Sequence, residues 1–136
     1  MFSARPKRQR NYRVKKGSIL DENIDRQIIA IHRAIAEKIW QQPVLAMQVR
    51  DKLEERYELG KIRYGAYLHW LSLLENLQAE RVNKETFIFG LCEDSPTMRK
   101  WRRVTPFVGI LTEQERQAAL DADAAGNLDS LGHYFV

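Results

Sequence analysis

Apolar positions along the chain follow a helical repeat for most of its length. From Asp21 to Gln42, Ile24, Ile28, Ile31, Ile35 and Ile39 recur at steps of four, three, four and four, the spacing of one helix face. Ser18 to Asp21 or Glu22 supplies start signals and Pro43 a stop. The stripe drifts with a 3.6-residue period over too few heptads for a coiled coil, so a packed amphipathic helix is expected. Pro43 suits the first position of a second helix reaching about Leu59, with Leu45, Val49, Leu53 and Tyr57 on one face and Gly60 as its C-terminal cap. A third helix, Lys61 to about Ala79, is apolar over a wider arc: Ile62, Ala66, Tyr67, Trp70, Leu71, Leu73, Leu74 and Leu77. That breadth puts it at the centre of the fold, with Gly65 admitting a close neighbour.

Beyond it the segments shorten. The apolar run Phe87 to Cys92 fits a strand or a buried turn of helix; Asn83 as a cap and Gly90 within the run favour a short helix. Ser95-Pro96 reads as a cap followed by proline at the first helical position, opening a helix through Arg103 that Thr105 and Pro106 end. Phe107 to Leu111 is expected to be an extended connector packed on the core. Thr112 with Glu115 forms a capping box, and the alanine-rich helix it starts is expected to stop near Gly126. Leu128, Leu131, Tyr134, Phe135 and Val136 then make an apolar tail. The pattern predicts a small all-α protein: three main helices, shorter C-terminal helices and a flexible basic arm at the N-terminus. Its segments are an arm over 1–17, one helical domain over 18–126 and a tail over 127–136.

Composition changes this picture at one point, the charge. The 136 residues carry a formal net charge of +4. Residues 1–16 hold Arg5, Lys7, Arg8, Arg10, Arg13, Lys15 and Lys16 and no acidic residue, leaving 15 basic against 18 acidic residues, a net of −3, for the remainder. The arm therefore supplies the whole excess. With Phe2, Tyr12 and Val14 as its sizeable apolar groups, it buries too little surface to offset its ordering entropy. A second basic cluster, Arg99-Lys100-Trp101-Arg102-Arg103, precedes an acidic C-terminal stretch. The arm either meets an anionic partner or folds back on that stretch.

Candidate chemistry is sparse. Cys92 is the only cysteine, which excludes an internal disulfide and a multi-cysteine zinc site. It lies in an apolar stretch that blunts thiol reactivity. His32, His69 and His133 lack a second ligand at helical metal-binding spacing. No phosphate-binding glycine loop, nucleophile elbow or dinucleotide fingerprint occurs, and Glu54, Glu55 and Glu58 read as a solvated face. No catalytic residue, metal or cofactor is implied. Without a signal-peptide or membrane-length apolar run, the expected location is cytoplasmic, with no membrane partner.

The basic residues point to anion binding. On a helix from Pro96, Arg99, Arg102 and Arg103 stand at i, i+3 and i+4 and share one face, with Met98 and Trp101 turned to another. Three guanidinium groups there suit bidentate phosphate contacts; equally, they suit pairing with acidic groups of this chain such as Glu113 and Glu115. The helix pair meeting at Gly60 suggests a helix-turn-helix. Of Glu55, Leu59, Lys61 and His69, which fall where that motif wants apolar core residues, only Leu59 fits, so the pair reads as a core hairpin. Arg63, Tyr64, Tyr67 and Trp70 fit a base-stacking platform or ordinary core. The sequence thus predicts a binding protein rather than an enzyme. One reading is a nucleic-acid-associated accessory or regulatory protein that uses the arm with Arg99, Arg102 and Arg103. The other is a protein-interaction adaptor or inhibitor whose arm or tail docks on a partner, or a homodimer through the isoleucine stripe.

Overall fold

A computed structural model describes the backbone of residues 18–135 and side chains over 19–126. The seven arm cations, and the fate of the side chains in the apolar tail, lie outside the described residues. The described chain is all-α, with no strand. The helices are α1 Ser18–Gln41, a 3-10 turn Pro43–Leu45, α2 Ala46–Glu58, α3 Tyr64–Gln78, α4 Lys84–Cys92, α5 Pro96–Arg103 and α6 Glu113–Phe135. No described helix is long and apolar enough to cross a membrane.

The core gathers where the apolar stripes converge. Ile35, Ala36 and Ile39 of α1, Leu53 of α2, Trp70 and Leu74 of α3, Phe87 and Leu91 of α4, and Phe107 and Ile110 beyond α5 are all buried. Only the C-terminal half of the isoleucine stripe enters it. Because Ile35 and Ile39 are consumed internally, the stripe is not a free dimer seam. Ile19, Leu20 and Ile24, at the start of α1, remain exposed.

Two successive turns have the same hydrogen bonding. Gly60 N–H donates to Tyr57 O (3.1 Å) and Lys61 N–H to Arg56 O (2.8 Å). Glu80 N–H donates to Leu77 O (3.1 Å) and Arg81 N–H to Asn76 O (2.9 Å). These are Schellman closures, which need a left-handed residue just past the helix. Gly60 (φ 70°) takes that position without a Cβ penalty, whereas Glu80 (φ 54°) takes it at a cost of about 1 kcal/mol. The first turn delays α3 to Tyr64, so Lys61 to Arg63 belong to the connection rather than to the helix. α2 and α3 form the expected hairpin, tied by Arg50 to Glu75 and Gln78 (3.1 and 2.9 Å).

The run at 87–92 is helical. Asn83 Oδ1 accepts the Thr86 N–H at 2.8 Å, and Gly90 brings α4 against Leu73 of α3. Ser95 Oγ likewise accepts the Met98 N–H (3.2 Å) at the start of α5. Gly65 admits the Trp101 ring, 3.4 Å from where a Cβ would stand.

The segment after α5 is a series of turns rather than an extended connector. Thr105 Oγ1 accepts the Phe107 N–H (3.1 Å), Arg56 binds the Val104 and Thr105 carbonyls (2.9 and 2.7 Å), and Gly109 has φ 81°. These local bonds bend the backbone back while burying Phe107 and Ile110. The last helix does not stop at Gly126 but continues to Phe135. A glycine ends a helix where it adopts a left-handed conformation; inside one it costs only about 1 kcal/mol, and Gly126 stays helical among alanines. The α6 start is the predicted box: Thr112 N–H donates to Glu115 Oε1 (2.8 Å) and Glu115 N–H to Thr112 Oγ1 (3.1 Å). Lys38 and Arg26 of α1 then pair with Glu115 (2.6 Å) and Asp123 (3.2 Å).

Candidate functional site

The three candidate arginines of α5 do not share an exposed face. Arg102 is 2% exposed. Its Nη1 donates to Leu91 O (3.0 Å) and Glu93 O (2.8 Å), and its buried Nη2 has no partner among the described residues. The reason is helical geometry. Met98 faces the core, and Arg102, four residues on, lies one turn above it on the same side. Burial pulls the Arg102 pKa down from its ordinary value. The guanidinium instead closes the C-terminus of α4, where unsatisfied carbonyls and the helix dipole favour a cation. Arg102 is thus an internal cap, contrary to its expected place among phosphate contacts.

Arg99 and Arg103 stay half-exposed but already hold carboxylates. Arg99 donates to both oxygens of Asp94 (2.6 and 3.1 Å) and lies 3.9 Å from Asp25. This pairing raises the Arg99 pKa and lowers that of Asp94. Arg103 grips the buried Asp25 of α1 through Nε (2.9 Å) and Nη2 (2.8 Å). Internal pairing therefore occurs, but with Asp25 and Asp94 rather than Glu113 and Glu115; Glu115 is held by Lys38 and Glu113 by Arg116. Of the fifteen cations after residue 16, Arg26, Lys38, Arg50, Lys84, Arg99, Arg103 and Arg116 sit in ion pairs. Lys52, Arg56 and Arg102 donate to backbone carbonyls.

The aromatic set divides. Trp70 is core, its ring meeting Phe107 edge-on at 5.2 Å. Tyr64 and the half-buried Tyr67 join Tyr57, which the helical repeat places on one face with Leu45, Val49 and Leu53, in a cluster at the α2–α3 corner. Tyr57 and Tyr67 stack with ring centroids 4.0 Å apart and planes 12° from parallel, and Tyr64 lies 6.5 Å from Tyr67. The Tyr67 hydroxyl donates to Glu54 Oε1 at 2.6 Å. That carboxylate pushes the Tyr67 pKa up to about 12. Tyr64 is 61% exposed and Arg63 beside it is also exposed. Asp51, Glu54, Glu55 and Glu58 line a shallow depression on the adjoining face of α2. The missed signal was spacing across the turn: Tyr57 and Tyr64 flank Gly60, where a Schellman turn folds one helix end beside the next start.

The histidines and the thiol have structural roles. Nδ1 of His32 bonds Ile28 O (2.8 Å), so Nδ1 carries the proton and Nε2 accepts from the Thr105 hydroxyl (2.9 Å). His69 Nε2 donates to Gly90 O (2.9 Å). Cys92 is buried with its thiol directed at Ile29 O (3.9 Å), and burial raises its pKa; the His133 side chain lies outside the described residues. Burial lowers the His32 pKa from 6.5 to about 4. Below pH 6.5 the unfolded chain takes up this proton before the folded one does. Stability is therefore lost as pH falls from 6.5 to about 4, by about 3 kcal/mol in all. Urea unfolding at pH 7.5 and pH 4 checks this: His32→Gln should show a shallower loss than wild type across that window.

Comparison with protein-family models, with curated proteins and with solved structures gives no match.

Proposed function

We propose that this chain is a nucleic-acid-associated accessory or regulatory protein of the cytoplasm, acting by binding rather than catalysis, with residues 5–16 making the phosphate contacts. One observation carries the reading: where the excess positive charge lies along the chain. The arm has seven cations and no acid, while ten of the fifteen body cations are committed to internal carboxylates and carbonyls. Affinity for a polyanion then resides in Arg5, Lys7, Arg8, Arg10, Arg13, Lys15 and Lys16. Arg99 and Arg103 take a secondary part, exchanging a carboxylate for a phosphate, and Arg102 takes none.

Binding of mixed-sequence duplex DNA and RNA at several salt concentrations tests it. Seven phosphate contacts give a slope of log affinity against log salt of about −6. Replacing the seven arm cations by glutamine in the full chain should abolish most of the affinity and flatten the slope, whereas Arg99→Gln with Arg103→Gln should change it by at most about 2. A slope indifferent to the arm substitutions, or no binding at low salt, overturns the reading.

A second reading, a protein-interaction module, is favoured by the exposed Ile19, Leu20 and Ile24 at the start of α1. It requires a stable complex or a dimer that Ile19→Ser with Leu20→Ser dissolves. A monomer at high concentration by light scattering, with no recoverable partner, counts against it.

A further inference from the structure

We infer that the outer face of α2, with the tyrosine cluster at its C-terminal end, is a docking surface for the basic N-terminal segment of the same chain. α2 carries its carboxylates on its outer face and its cations along the two edges of that face. Arg50 turns to Glu75 and Gln78, Lys52 to Val108 O, and Arg56 to the Val104 and Thr105 carbonyls, so its three cations are spent on neighbouring elements. Between them, on the side away from the buried Val49 and Leu53, Asp51, Glu55 and Glu58 stand at i, i+4 and i+7, exposed and without an ion-pair partner among the described residues. Glu54 stands beside them, bonded to Tyr67. At its C-terminal end this face adjoins the Tyr57–Tyr67 stack and the exposed Leu59 and Tyr64.

That combination suits an arginine-rich segment with occasional apolar residues. Guanidinium groups stack on aromatic faces while bonding carboxylates, and the two interactions reinforce one another in a partly desolvated site. Residues 5–16 offer four arginines and three lysines interleaved with Tyr12 and Val14. A nucleic acid is the wrong occupant, because a phosphate backbone would meet four carboxylates. The acidic α6 is a poorer host. Its Glu113, Glu115 and Asp123 are each paired with a cation, and its Asp121 accepts from Gln117.

The arm is long enough. Thr105 links the two regions, its carbonyl 2.7 Å from Arg56 of α2 and its hydroxyl 2.9 Å from His32 of α1. From His32 back to Ser18, α1 is about 21 Å long. Arg8 and Arg5 lie ten and thirteen residues before Ser18, an extended reach of about 33 and 43 Å, more than the length of α1 that must be spanned.

The test uses no nucleic acid, so its failure leaves the proposed function standing. A nitroxide is attached at Gln9→Cys in the full chain carrying Cys92→Ser, and amide signals are compared with the reduced label. At low salt the signals of residues 51–67 should lose most of their intensity and those of 113–126 should not. At ~1 M salt, where the screening length is about 3 Å, the loss should disappear. Glu54→Gln, Glu55→Gln and Glu58→Gln together should abolish it. Broadening confined to α6, or none, overturns the inference, as does broadening seen only when labelled chains are mixed with unlabelled ones, which would mean docking between copies. If Cys92→Ser does not fold, wild type is compared with the seven-glutamine arm variant. Amide shift differences must then concentrate on residues 51–67, and their absence there is equally fatal.

Discussion

Replacing Arg102 by alanine should destabilise the fold by about 3 kcal/mol while leaving any salt-dependent binding of nucleic acid unchanged. The guanidinium is the partner of two carbonyls, Leu91 O and Glu93 O, at the end of α4. Stranding a buried polar group costs about 1–3 kcal/mol each, and the lost side-chain volume adds a cavity. Loss of the unpartnered Nη2 donor returns part of this. Arg102→Lys should recover little, because a single ammonium has neither the reach nor the planar fork of a guanidinium. Urea unfolding measures the first effect and the salt slope the second. A variant of wild-type stability that binds polyanions less steeply would show that Arg102 leaves the core to meet phosphate, contrary to the cap described above.

Gly90→Val should cost about as much for the opposite reason, too much matter in too little space. A Cβ at position 90 would collide with Leu73 Cδ2 and stand 2.9 Å from Cδ1 and 3.1 Å from Cγ. The end of the leucine can swing aside, but the nearness of Cγ means the branch itself must move. Overpacking of this kind costs about 1–3 kcal/mol, against which the better helix propensity of a non-glycine residue returns less than about 1. The carbonyl of Gly90 also receives the His69 ring N–H at 2.9 Å, so a shift of α4 strains a second contact. A double-mutant cycle isolates the clash. In a Leu73→Ala background, Gly90→Ala should be neutral or stabilising, whereas in the wild-type background it should destabilise. Equal effects in both backgrounds would mean that Leu73 is not what glycine makes room for.

Much of the helical layout was legible from local signals. Pro43, Gly60, Asn83, Ser95-Pro96 and the Thr112–Glu115 box act within a few residues of themselves, and each opens or closes a helix where its own chemistry dictates. Local reasoning failed where a residue had two compatible roles. Gly126 can end a helix or lie within one, and Glu80 gives no sign that it will adopt the left-handed conformation that closes α3. The candidate site was less legible still. Arg99, Arg102 and Arg103 look alike in sequence, yet α5 meets the core through the side bearing Met98 and Arg102, which separates one arginine from the other two.

The sequence by itself determined that the chain is helical, where most helices begin, and that its excess positive charge resides in the first sixteen residues. These follow from periodicity, capping and counting, which need no knowledge of neighbours. Tertiary structure alone decided which charges are spent. Whether an arginine faces solvent, a carbonyl or a carboxylate depends on groups far away in sequence, as with Arg103 and Asp25, 78 residues apart. It also brought Tyr57 against Tyr67 and left one carboxylate stripe of α2 free of internal partners among the described residues. Burial and pairing are properties of packed surfaces, and a linear order of residues does not contain them.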